Sequence, residues 1–568
     1  MHRSRPSGLA TASLALLLST GAADLAAADV TLPPGAEQAA QAIHAGSLAA
    51  PIRFLASDAL EGRGPASRGD QLARAYLASE LESLGLVAGG PNGSWQQSFD
   101  IVGIDAEMPA VWTFLVGDKS VGGKSVEWKR SDDYIAAAGV QAESADLKDA
   151  EVVFVGYGIQ APEYRWDDFK GMDLKGKVLV MLNNDPEEDD NLFAGKRRLY
   201  YGRWDYKYES AARLGAAGAI IIHTTHSAGY PWQVVQTSWT GEQFELPAGD
   251  EPRLQVAAWS TEEAAKRLFA AGGFDLDQLI ADAQRRDFRP IPLKSRTSLH
   301  LATKIEKTTT ANVLGLLPGS DPKLATEVVI LSAHHDHLGI GEPDKTGDKI
   351  YNGAVDNASG CAQILAIAKA FAALPERPRR SVLFAFVATE EQGLLGSKYY
   401  AEHPTYPPGK IAANVNFDGG NIWGRTTDLT YIGLGKSSLD GVVKDLAAEQ
   451  GREVLPDQAP DRGFFYRSDQ FSFAKIGVPA IYLDAGRKFR GKPEGWGKEI
   501  QEKWEETQYH QPSDEIEPDW NYDGMIEDAR LGFYAALWIA QQDAMPTWTP
   551  GDEFEGARKQ ALAAVAGK

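Results

Sequence analysis

The 568-residue chain contains a single cysteine, Cys361, so no disulfide bond can form within it. Cys361 lies in a run of small residues that leads into a predicted helix, and we interpret it as a packing residue. With 43% hydrophobic and 24% charged residues, the composition is that of a globular protein, with no sign of disorder or of a fibre. The length predicts two or more domains, which must be stable without covalent cross-links.

A track of Lys and Arg that could bind phosphates is also missing, and the net charge is −21 with a pI of about 5.0. Without a basic track for phosphates, nucleic-acid binding is excluded as a function class. The acidic residues are spread along the chain, which is typical of a soluble surface. Nothing in the sequence predicts the oligomeric state.

Long apolar runs are absent beyond the first residues of the chain. There, a basic start is followed by the apolar stretch 9–18 and by the alanines of residues 26–28, which is the pattern of a secretory signal. The stretch is too short to span a bilayer. We therefore expect residues 1–28 to be a signal peptide and the mature protein to be exported, to a periplasm or to the medium, without a membrane anchor.

Three regions differ in their hydrophobic pattern. Residues 36–86 have apolar residues at helical spacing, interrupted by a Gly-rich loop at residues 60–65. From about residue 130 to 300, short β-rich runs are separated by Gly and Pro, with one helix near 206–217. From about residue 310, apolar strands alternate with helices, which predicts an α/β fold with a mostly parallel sheet that helices cover on both faces. We expect the polar segment after Pro546 to fray.

Ionisable residues follow each apolar strand of the last region. The segments concerned are 334–337 (His-His-Asp-His), 352–360, 389–391 (Thr-Glu-Glu), 418–420 (Asp-Gly-Gly) and 509–514. Because ligands bind at the carboxyl ends of the strands in such sheets, we expect these segments to converge on one site. Imidazole and carboxylate groups without thiolates suit Zn²⁺ and similar divalent ions.

The segments offer more donors than a single tetrahedral ion needs. Two ions about 3.5–4 Å apart require one bridging carboxylate and a few terminal ligands each. Without cations, several carboxylates at one point would repel one another and raise one another's pKa values. The adjacent Glu390 and Glu391 can supply one ligand and one free base, because the backbone turns at a strand end.

These motifs resemble those of metallopeptidase family 28, the co-catalytic zinc aminopeptidases and glutamate carboxypeptidase-like enzymes. The resemblance implies a two-zinc exopeptidase, most similar to an aminopeptidase, in which a metal-bound hydroxide attacks the peptide carbonyl and Glu390 is the general base. It implies that Asp356 bridges the ions, with His334 and Asp418 on one ion and Glu391 and His510 on the other. It also implies that Asp336 orients His334 and that Tyr509 donates a hydrogen bond to the oxyanion.

The β-rich region has a resemblance of its own. Residues 155–159 (Val-Gly-Tyr-Gly-Ile), 166–168 (Trp-Asp-Asp) and 176–178 (Gly-Lys-Val) are similar to the protease-associated domain, which in such peptidases is thought to cover the cleft or limit access. In chain order, we expect a signal peptide (1–28), the first part of the peptidase domain (29–130) and an inserted protease-associated domain (131–300). The catalytic domain (301–548) and a C-terminal tail (549–568) are expected to follow.

Alternatives remain open at this point. A carboxypeptidase or dipeptidase could use the same metal site, with Arg462 or Arg467 binding the substrate carboxylate, and a non-catalytic receptor-like relative is the third alternative. Strand alternation places His335 on the opposite face from His334, and His337 is expected to pack in its loop. His223 and His226 have no carboxylate near them in the sequence, which disfavours a third metal site. Arg63 is interpreted as structural.

Overall fold

The computed structural model describes residues 30–117, 123–189 and 191–566. The signal peptide expected over residues 1–28 lies outside the described residues. No helix within the described ranges has the length and apolar character needed to cross a membrane.

The described chain begins with a group of helices. His44 and Ser47 form a reciprocal capping box at the start of the second helix, and the Ser67 side chain accepts from the Asp70 N–H at the start of the third. The Gly-rich segment 60–65 turns the chain between them, as the sequence predicts. The elements are α1 (Ala36–Ala40), α2 (Ala45–Leu55), α3 (Arg68–Ser83) and the short strand β1 (Val87–Ala88).

The next region is rich in strands but holds more helix than predicted. Besides the expected helix, the segments 225–228, 232–238, 262–271 and 276–283 are helical, and they are too short to show a clear helical period. The strands are β2 (Gln96–Glu107), β3 (Val111–Val116), β4 (Lys124–Lys129), β5 (Tyr134–Ala138), β6 (Ser144–Phe154), β7 (Gln160–Ala161), β8 (Trp166–Asp167), β9 (Val178–Leu182), β10 (Gly218–His223), β11 (Glu242–Glu245), β12 (Val256–Thr261) and β13 (Ile291–Leu317). The helices are α4 (Trp204–Arg213), α5 (Thr225–Ala228), α6 (Trp232–Ser238), α7 (Glu262–Ala271) and α8 (Leu276–Ala283).

The last region alternates strands and helices, as predicted. Its strands are β14 (Val328–His334), β15 (Gly339–Ile340), β16 (Ile350–Tyr351), β17 (Ser381–Val387), β18 (Ile411–Asn416), β19 (Asp428–Ile432), β20 (Glu453–Pro456) and β21 (Ala480–Ala485). Its helices are α9 (Gly360–Ala372), α10 (Leu395–Glu402), α11 (Asp440–Glu449), α12 (Gln470–Lys475), α13 (Trp496–Thr507), α14 (Asp523–Gln541) and α15 (Glu555–Ala566).

A mixed sheet organises this region. In the described residues its order is β1-β13-β17-β14-β18-β21-β19-β20, and the four central strands, β17, β14, β18 and β21, run parallel. Every residue of β14, β17 and β18 is buried, because helices cover both faces. The predicted fold class, an α/β fold with a mainly parallel sheet between helices, is confirmed.

The long strand β13 extends this sheet into the preceding region, so strands of both regions form one hydrogen-bonded sheet. Its first half pairs with β3 and β6, its middle pairs with β2, and its last residues pair with β17. The chain therefore leaves the α/β part along β2 and returns along β13. We call residues 96–312 the inserted unit, and the remainder of the described chain the α/β unit.

The inserted unit has its own apolar core. This cluster begins at Val102 and ends at Leu301, and it includes Trp112, Phe114 and Trp128 on strands β3 and β4. The division between residues 130 and 131 expected from the sequence stays a prediction. Residues before and after this division share one apolar core, which favours a boundary about 30 residues earlier, near the start of β2.

The segment after Pro546, expected to fray, instead ends in the ordered helix α15. Arg558 on this helix is 1% exposed, and its guanidinium donates to the backbone oxygens of Pro546, Ile411 and Ala412. Trp548 and Phe554 are also buried beside it. The expectation of a frayed tail is wrong because Arg558 attaches the helix to the start of β18, and the rings of Trp548 and Phe554 pack against Phe465.

Replacement of Arg558 by Met should lower the free energy of unfolding by about 2–4 kcal/mol, because three buried carbonyl groups lose their donor. Urea denaturation followed by circular dichroism measures this change. Lys559→Met is the matched control, since Lys559 is exposed and pairs only with Glu555 one turn away; it should cost less than about 0.5 kcal/mol. Equal effects from the two variants would contradict the assigned role of Arg558.

His223 and His226 of the inserted unit do not form a shared site. His223 is buried, its Nε2 lies 3.1 Å from the Tyr230 backbone oxygen, and its ring packs against Trp232 and Trp259. His226 is exposed and lies 3.5 Å from Glu187. Burial lowers the pKa of His223 to about 4, so this imidazole is neutral in the folded protein at ordinary pH.

The buried His223 makes stability depend on pH. The unfolded chain takes up a proton on this residue near pH 6.5 and the folded chain does so near pH 4, so stability falls as the pH drops between these values. At pH 5 the resulting loss in the free energy of unfolding is on the order of 2 kcal/mol. His223→Gln should therefore lose less stability than the wild type between pH 8 and pH 5, measured by urea denaturation. Parallel pH profiles for the two proteins would contradict this.

Candidate metal centre

Five separate segments of the α/β unit bring their side chains to one end of the parallel strands. His334 is the last residue of β14, Asp418 follows β18, and the Glu390–Glu391 pair follows β17. Asp356 lies in the turn before α9, and His510 lies in the loop after α13. The strands β14, β17 and β18 are adjacent and parallel, so their carboxyl ends meet at one edge, as the fold predicts.

Asp356 lies between the two histidines. Its Oδ1 is 3.2 Å from His334 Nε2, and its Oδ2 is 3.2 Å from His510 Nε2. Asp418 Oδ1 is 3.2 Å from the same nitrogen of His334, and Glu391 Oε2 is 3.0 Å from the same nitrogen of His510. Each histidine thus faces one oxygen of the shared carboxylate and one oxygen of a second carboxylate.

Glu390 and Glu391 point to different parts of this cluster. Glu390 Oε2 is 3.9 Å from His334 Nε2, and the residue is 8% exposed toward the cavity described below. Asp336 fixes the turn that carries both glutamates, because its carboxylate accepts from the backbone N–H groups of Glu390 and Glu391. It contacts His334 less directly: Nδ1 of His334 lies 3.2 Å from the Asp336 backbone oxygen and 3.8 Å from its carboxylate.

His337 is closer to the cluster than its expected packing role implies. Its Nδ1 is 2.6 Å from Glu391 Oε1, and His337, Asp356 and Glu391 form a group whose ligand atoms lie within 4.8 Å of one another. His334 belongs to two further groups of this kind, one with Asp356 and Asp418 and one with the two glutamates. The loop after β14 brings the His337 ring back to the cluster, so His337 contacts a ligand instead of only packing in its loop.

The electrostatics of the cluster favour added positive charge. Burial opposes a charged imidazole at His334, yet Glu390 and Asp418 raise its pKa well above the usual value. Burial likewise opposes charge on His510, but Glu391 and Asp356 raise its pKa to about 10. Burial and the neighbouring carboxylates together raise the pKa of Glu390 well above its usual value, although His334 opposes this. Four carboxylates and two histidines in one buried volume therefore stabilise any cation between them.

The donor set fits divalent metal ions. His510 Nε2 is buried and makes no hydrogen bond of acceptable geometry, although two carboxylate oxygens lie within 3.2 Å of it. Such a nitrogen is oriented as a metal ligand between carboxylates. Imidazole and carboxylate donors without a thiolate suit Zn²⁺ best among common ions, and also Co²⁺ or Mn²⁺.

Two buried groups outside the cluster hold its loops in place. The Asp514 carboxylate accepts from the backbone N–H groups of Val355 and Asp356, which ties the loop of His510 to the turn of Asp356. The guanidinium of Arg63 is fully buried and donates to four backbone oxygens, those of Leu55, His335, Asn352 and Gly353. Arg63 is thus structural and does not reach the cleft, in agreement with its interpretation from sequence.

A cavity of about 310 Å³ opens beside the cluster. Glu390, Asp418 and Tyr509 line it, and so do Arg462 and Arg467. Burial raises the pKa of Tyr509 well above its usual value, although Arg467 opposes this, so the phenol keeps its proton and can donate a hydrogen bond. The inserted unit forms one wall of the cavity with the side chains of Arg203, Trp204, Tyr230, Val234, Ser238 and Trp239.

The structure brings together every metal ligand expected from the sequence: His334, Asp356, Glu391, Asp418 and His510. His335 lies on the opposite face, as strand alternation predicts, with its Nε2 3.0 Å from Asp70 Oδ1. Asp514 and Ser238 are two further residues of the site whose roles the sequence motifs do not predict. The position of Asp514 in the motif that follows His510 was a usable signal, whereas no local pattern marks Ser238.

Comparisons with known proteins agree with this site. Residues 312–533 match the model of Peptidase family M28. This match covers the region that carries the ligand cluster. The resemblance expected from the sequence is thereby confirmed, and the matched residues include all five expected ligands.

The curated relatives cover part of the chain. It is 26% identical over 248 residues to leupeptin-inactivating enzyme 1 from Streptomyces exfoliatus, covering 43% of this chain and 51% of that protein. It is 29% identical over 212 residues to leucine aminopeptidase 2 from Trichophyton equinum, covering 35% of this chain and 39% of that protein. The chain thus spans about half or less of the length of these relatives.

A solved structure covers nearly the whole chain. The aminopeptidase from Aneurinibacillus sp. strain AM-1 aligns over 91% of this chain and 98% of its own length, with 19% identity and a TM-score of 0.52. At this identity the likeness shows the fold. Since the alignment exceeds the residues of the α/β unit, it extends into the inserted unit as well.

Asp356→Asn should reduce the content of both metal ions, because each carboxylate oxygen faces a different histidine. Asp418→Asn should reduce the content of one ion only, since Asp418 contacts His334 alone among the two histidines. Inductively coupled plasma mass spectrometry on zinc-loaded, dialysed protein measures both. Asp523→Asn, at an exposed aspartate of α14, is the control. Equal metal content in Asp356→Asn and the control would refute the shared-ligand assignment.

Proposed function

We propose that this protein is an exported two-zinc aminopeptidase that removes single residues from the amino termini of peptides. The observation that carries the proposal is the position of Asp356, whose two oxygens each face a different histidine at 3.2 Å. A carboxylate in this position serves two ions at once. The match of residues 312–533 to Peptidase family M28 supports the reaction class.

The ligands divide between the two ions as follows. His334 and Asp418 would hold one, Glu391 and His510 the other, and Asp356 both, with His337 supporting the second group through Glu391. Bound zinc ions would supply an acidified water and polarise the peptide carbonyl. Export is supported by the signal pattern in residues 1–28 of the sequence.

Glu390 is the group placed to move protons. It lines the cavity, it lies 3.9 Å from the His334 nitrogen, and its backbone N–H is held by Asp336. We infer that Glu390 takes a proton from the attacking water and delivers it to the leaving amine. Tyr509, whose phenol stays protonated, donates a hydrogen bond to the oxyanion of the tetrahedral intermediate.

The inserted unit limits what can enter. Trp204, Tyr230 and Trp239 line the cavity opposite the metal ligands, so a substrate must fit between the two units. We propose that this region acts as a protease-associated domain that restricts the site to chain ends and short peptides. A folded protein chain would collide with these aromatic side chains.

A second candidate, a dipeptidase or carboxypeptidase, is favoured by one observation. Arg462 is neutralised by Glu505, with the closest N–O distance 2.7 Å, whereas no carboxylate of the described residues lies within 4 Å of the Arg467 guanidinium. Arg467 lines the cavity next to Tyr509 and stacks on Tyr230 and Phe464. An unpaired guanidinium there could bind a substrate carboxylate.

Blocked peptides separate the two candidates. For an aminopeptidase, N-acetylation of a tripeptide should abolish cleavage, whereas amidation of its carboxyl terminus should leave kcat/KM within about threefold of the free peptide. Cleavage of the acetylated tripeptide together with loss of cleavage of the amide would instead establish the second candidate. Liquid chromatography with mass spectrometry identifies the released residue.

Glu390→Gln should keep both zinc ions and lower kcat by about 10³-fold or more, because the amide cannot take up a proton. The measurement pairs metal analysis with steady-state kinetics on an aminoacyl p-nitroanilide. Glu402→Gln, at an exposed glutamate of α10, is the control and should match the wild type. A Glu390→Gln variant with full activity would refute the assignment of the base.

A further inference from the structure

One residue of the inserted unit directly contacts the metal-ligand cluster. Ser238 is the last residue of α6, and its Oγ is 2.8 Å from Nδ1 of His510, which lies 272 residues further along the chain. In the described part of the chain no other group forms a hydrogen bond with this nitrogen. The contact therefore bridges the two units at the metal centre.

Helix α6 is held firmly where this contact is made. Trp232 Nε1 and Gln236 Nε2 donate to the backbone oxygen of Ser131, at 2.7 and 2.9 Å, and Val235 is 1% exposed. On the other side, Gln233 Nε2 donates to the backbone oxygen of Glu506, four residues before His510. The helix is thus attached both to the core of the inserted unit and to the segment that carries the ligand.

His510 needs such a partner because of the chemistry of imidazole. Its Nε2 faces Asp356 and Glu391, so this nitrogen must be free of hydrogen to bind an ion. In the neutral ring the hydrogen then lies on Nδ1 and requires an acceptor, which Ser238 Oγ supplies. The backbone of His510 also has a φ of 55°, a left-handed conformation that the surrounding contacts must maintain.

We propose that Ser238 is a positioning residue of the metal centre, which fixes the tautomer and ring orientation of His510. The inserted unit is then part of the metal centre as well as a wall of the cavity. Any displacement of α6 removes this acceptor and weakens the ion held by Glu391 and His510, while the ion held by His334 and Asp418 is unaffected. The inference rests on the proposed two-metal function.

The test compares three variants in the full-length protein. Ser238→Ala removes the acceptor, and Ser238→Thr keeps a hydroxyl at the same position. Thr237→Ala removes a hydroxyl from the neighbouring residue of α6, which bonds only to Gln233 and Val234 of its own helix. Zinc affinity is measured by competition with a fluorescent chelator, and the Co²⁺-substituted proteins are compared by visible absorption.

The expected result is a two-step zinc titration in the wild type. Ser238→Ala should weaken one step by about 10- to 100-fold and leave the other step unchanged, with an altered Co²⁺ spectrum for the weakened site. Ser238→Thr and Thr237→Ala should both stay within about threefold of the wild type. Thermal unfolding of each metal-free variant shows whether the fold is intact.

Two outcomes would overturn the inference. Wild-type affinity for both ions in Ser238→Ala would show that His510 does not use this acceptor, while leaving the proposed function in place. An equal loss in Ser238→Ala, Ser238→Thr and Thr237→Ala would show that α6 matters only through packing. A wild-type protein that binds fewer than two ions would instead refute the proposed function, and this inference with it.

Discussion

The repulsion among four carboxylates, buried or nearly so, is the constraint that shapes this protein. Asp356, Glu390, Glu391 and Asp418 share one small volume at the end of the sheet, and the only basic groups among them are imidazoles. Their negative charge raises the pKa values of His334 and His510 despite burial. Divalent cations bound among these carboxylates would relieve their repulsion, so the fold and the proposed chemistry depend on the same interaction.

Much of the structure around the cluster maintains its geometry. Asp336 holds the backbone of the two glutamates, and Asp514 holds the backbone of Asp356. Arg63 joins the end of α2 to two loops, at His335 and at residues 352–353, through their carbonyl groups. These groups contact main chain rather than ligand side chains. They therefore fix the backbone positions of the ligand residues. These positions determine the short distances between the ligand side chains.

The parts of the fold that the sequence predicts well are those set by local pattern. The apolar strands at 328–334 and 381–387 are buried on both faces and read as continuous hydrophobic runs, and each is followed by its ligands. The convergence of the ligands follows from the parallel order of the strands. His335 also follows from alternation, because it lies within reach of Asp70 on the opposite face.

Other features depend on contacts that no local pattern records. The helices of the inserted unit are one to three turns long, too short for a clear period. Strand β13 pairs with strands of both units, so a boundary drawn from composition cuts through it. Helix α15 is ordered by the tertiary contacts of Arg558, which its polar, Ala-rich sequence does not reveal. Ser238 acquires its position from the packing of one unit against the other.

The inserted unit links the shape of the cleft to the chemistry of the metal centre. It contributes aromatic side chains to the cavity wall and one hydroxyl to His510. Under the proposed function, a substrate in the cleft would contact the same helix that positions His510. The recognition of a chain end and the integrity of the site would then depend on a single interface.

The most direct test of the account is a crystal structure of the zinc-loaded protein with anomalous data on both sides of the zinc absorption edge. The account predicts two anomalous peaks about 3.5–4 Å apart, with the Asp356 carboxylate between them and one histidine on each ion. A single peak, or two peaks that do not share Asp356, would contradict it.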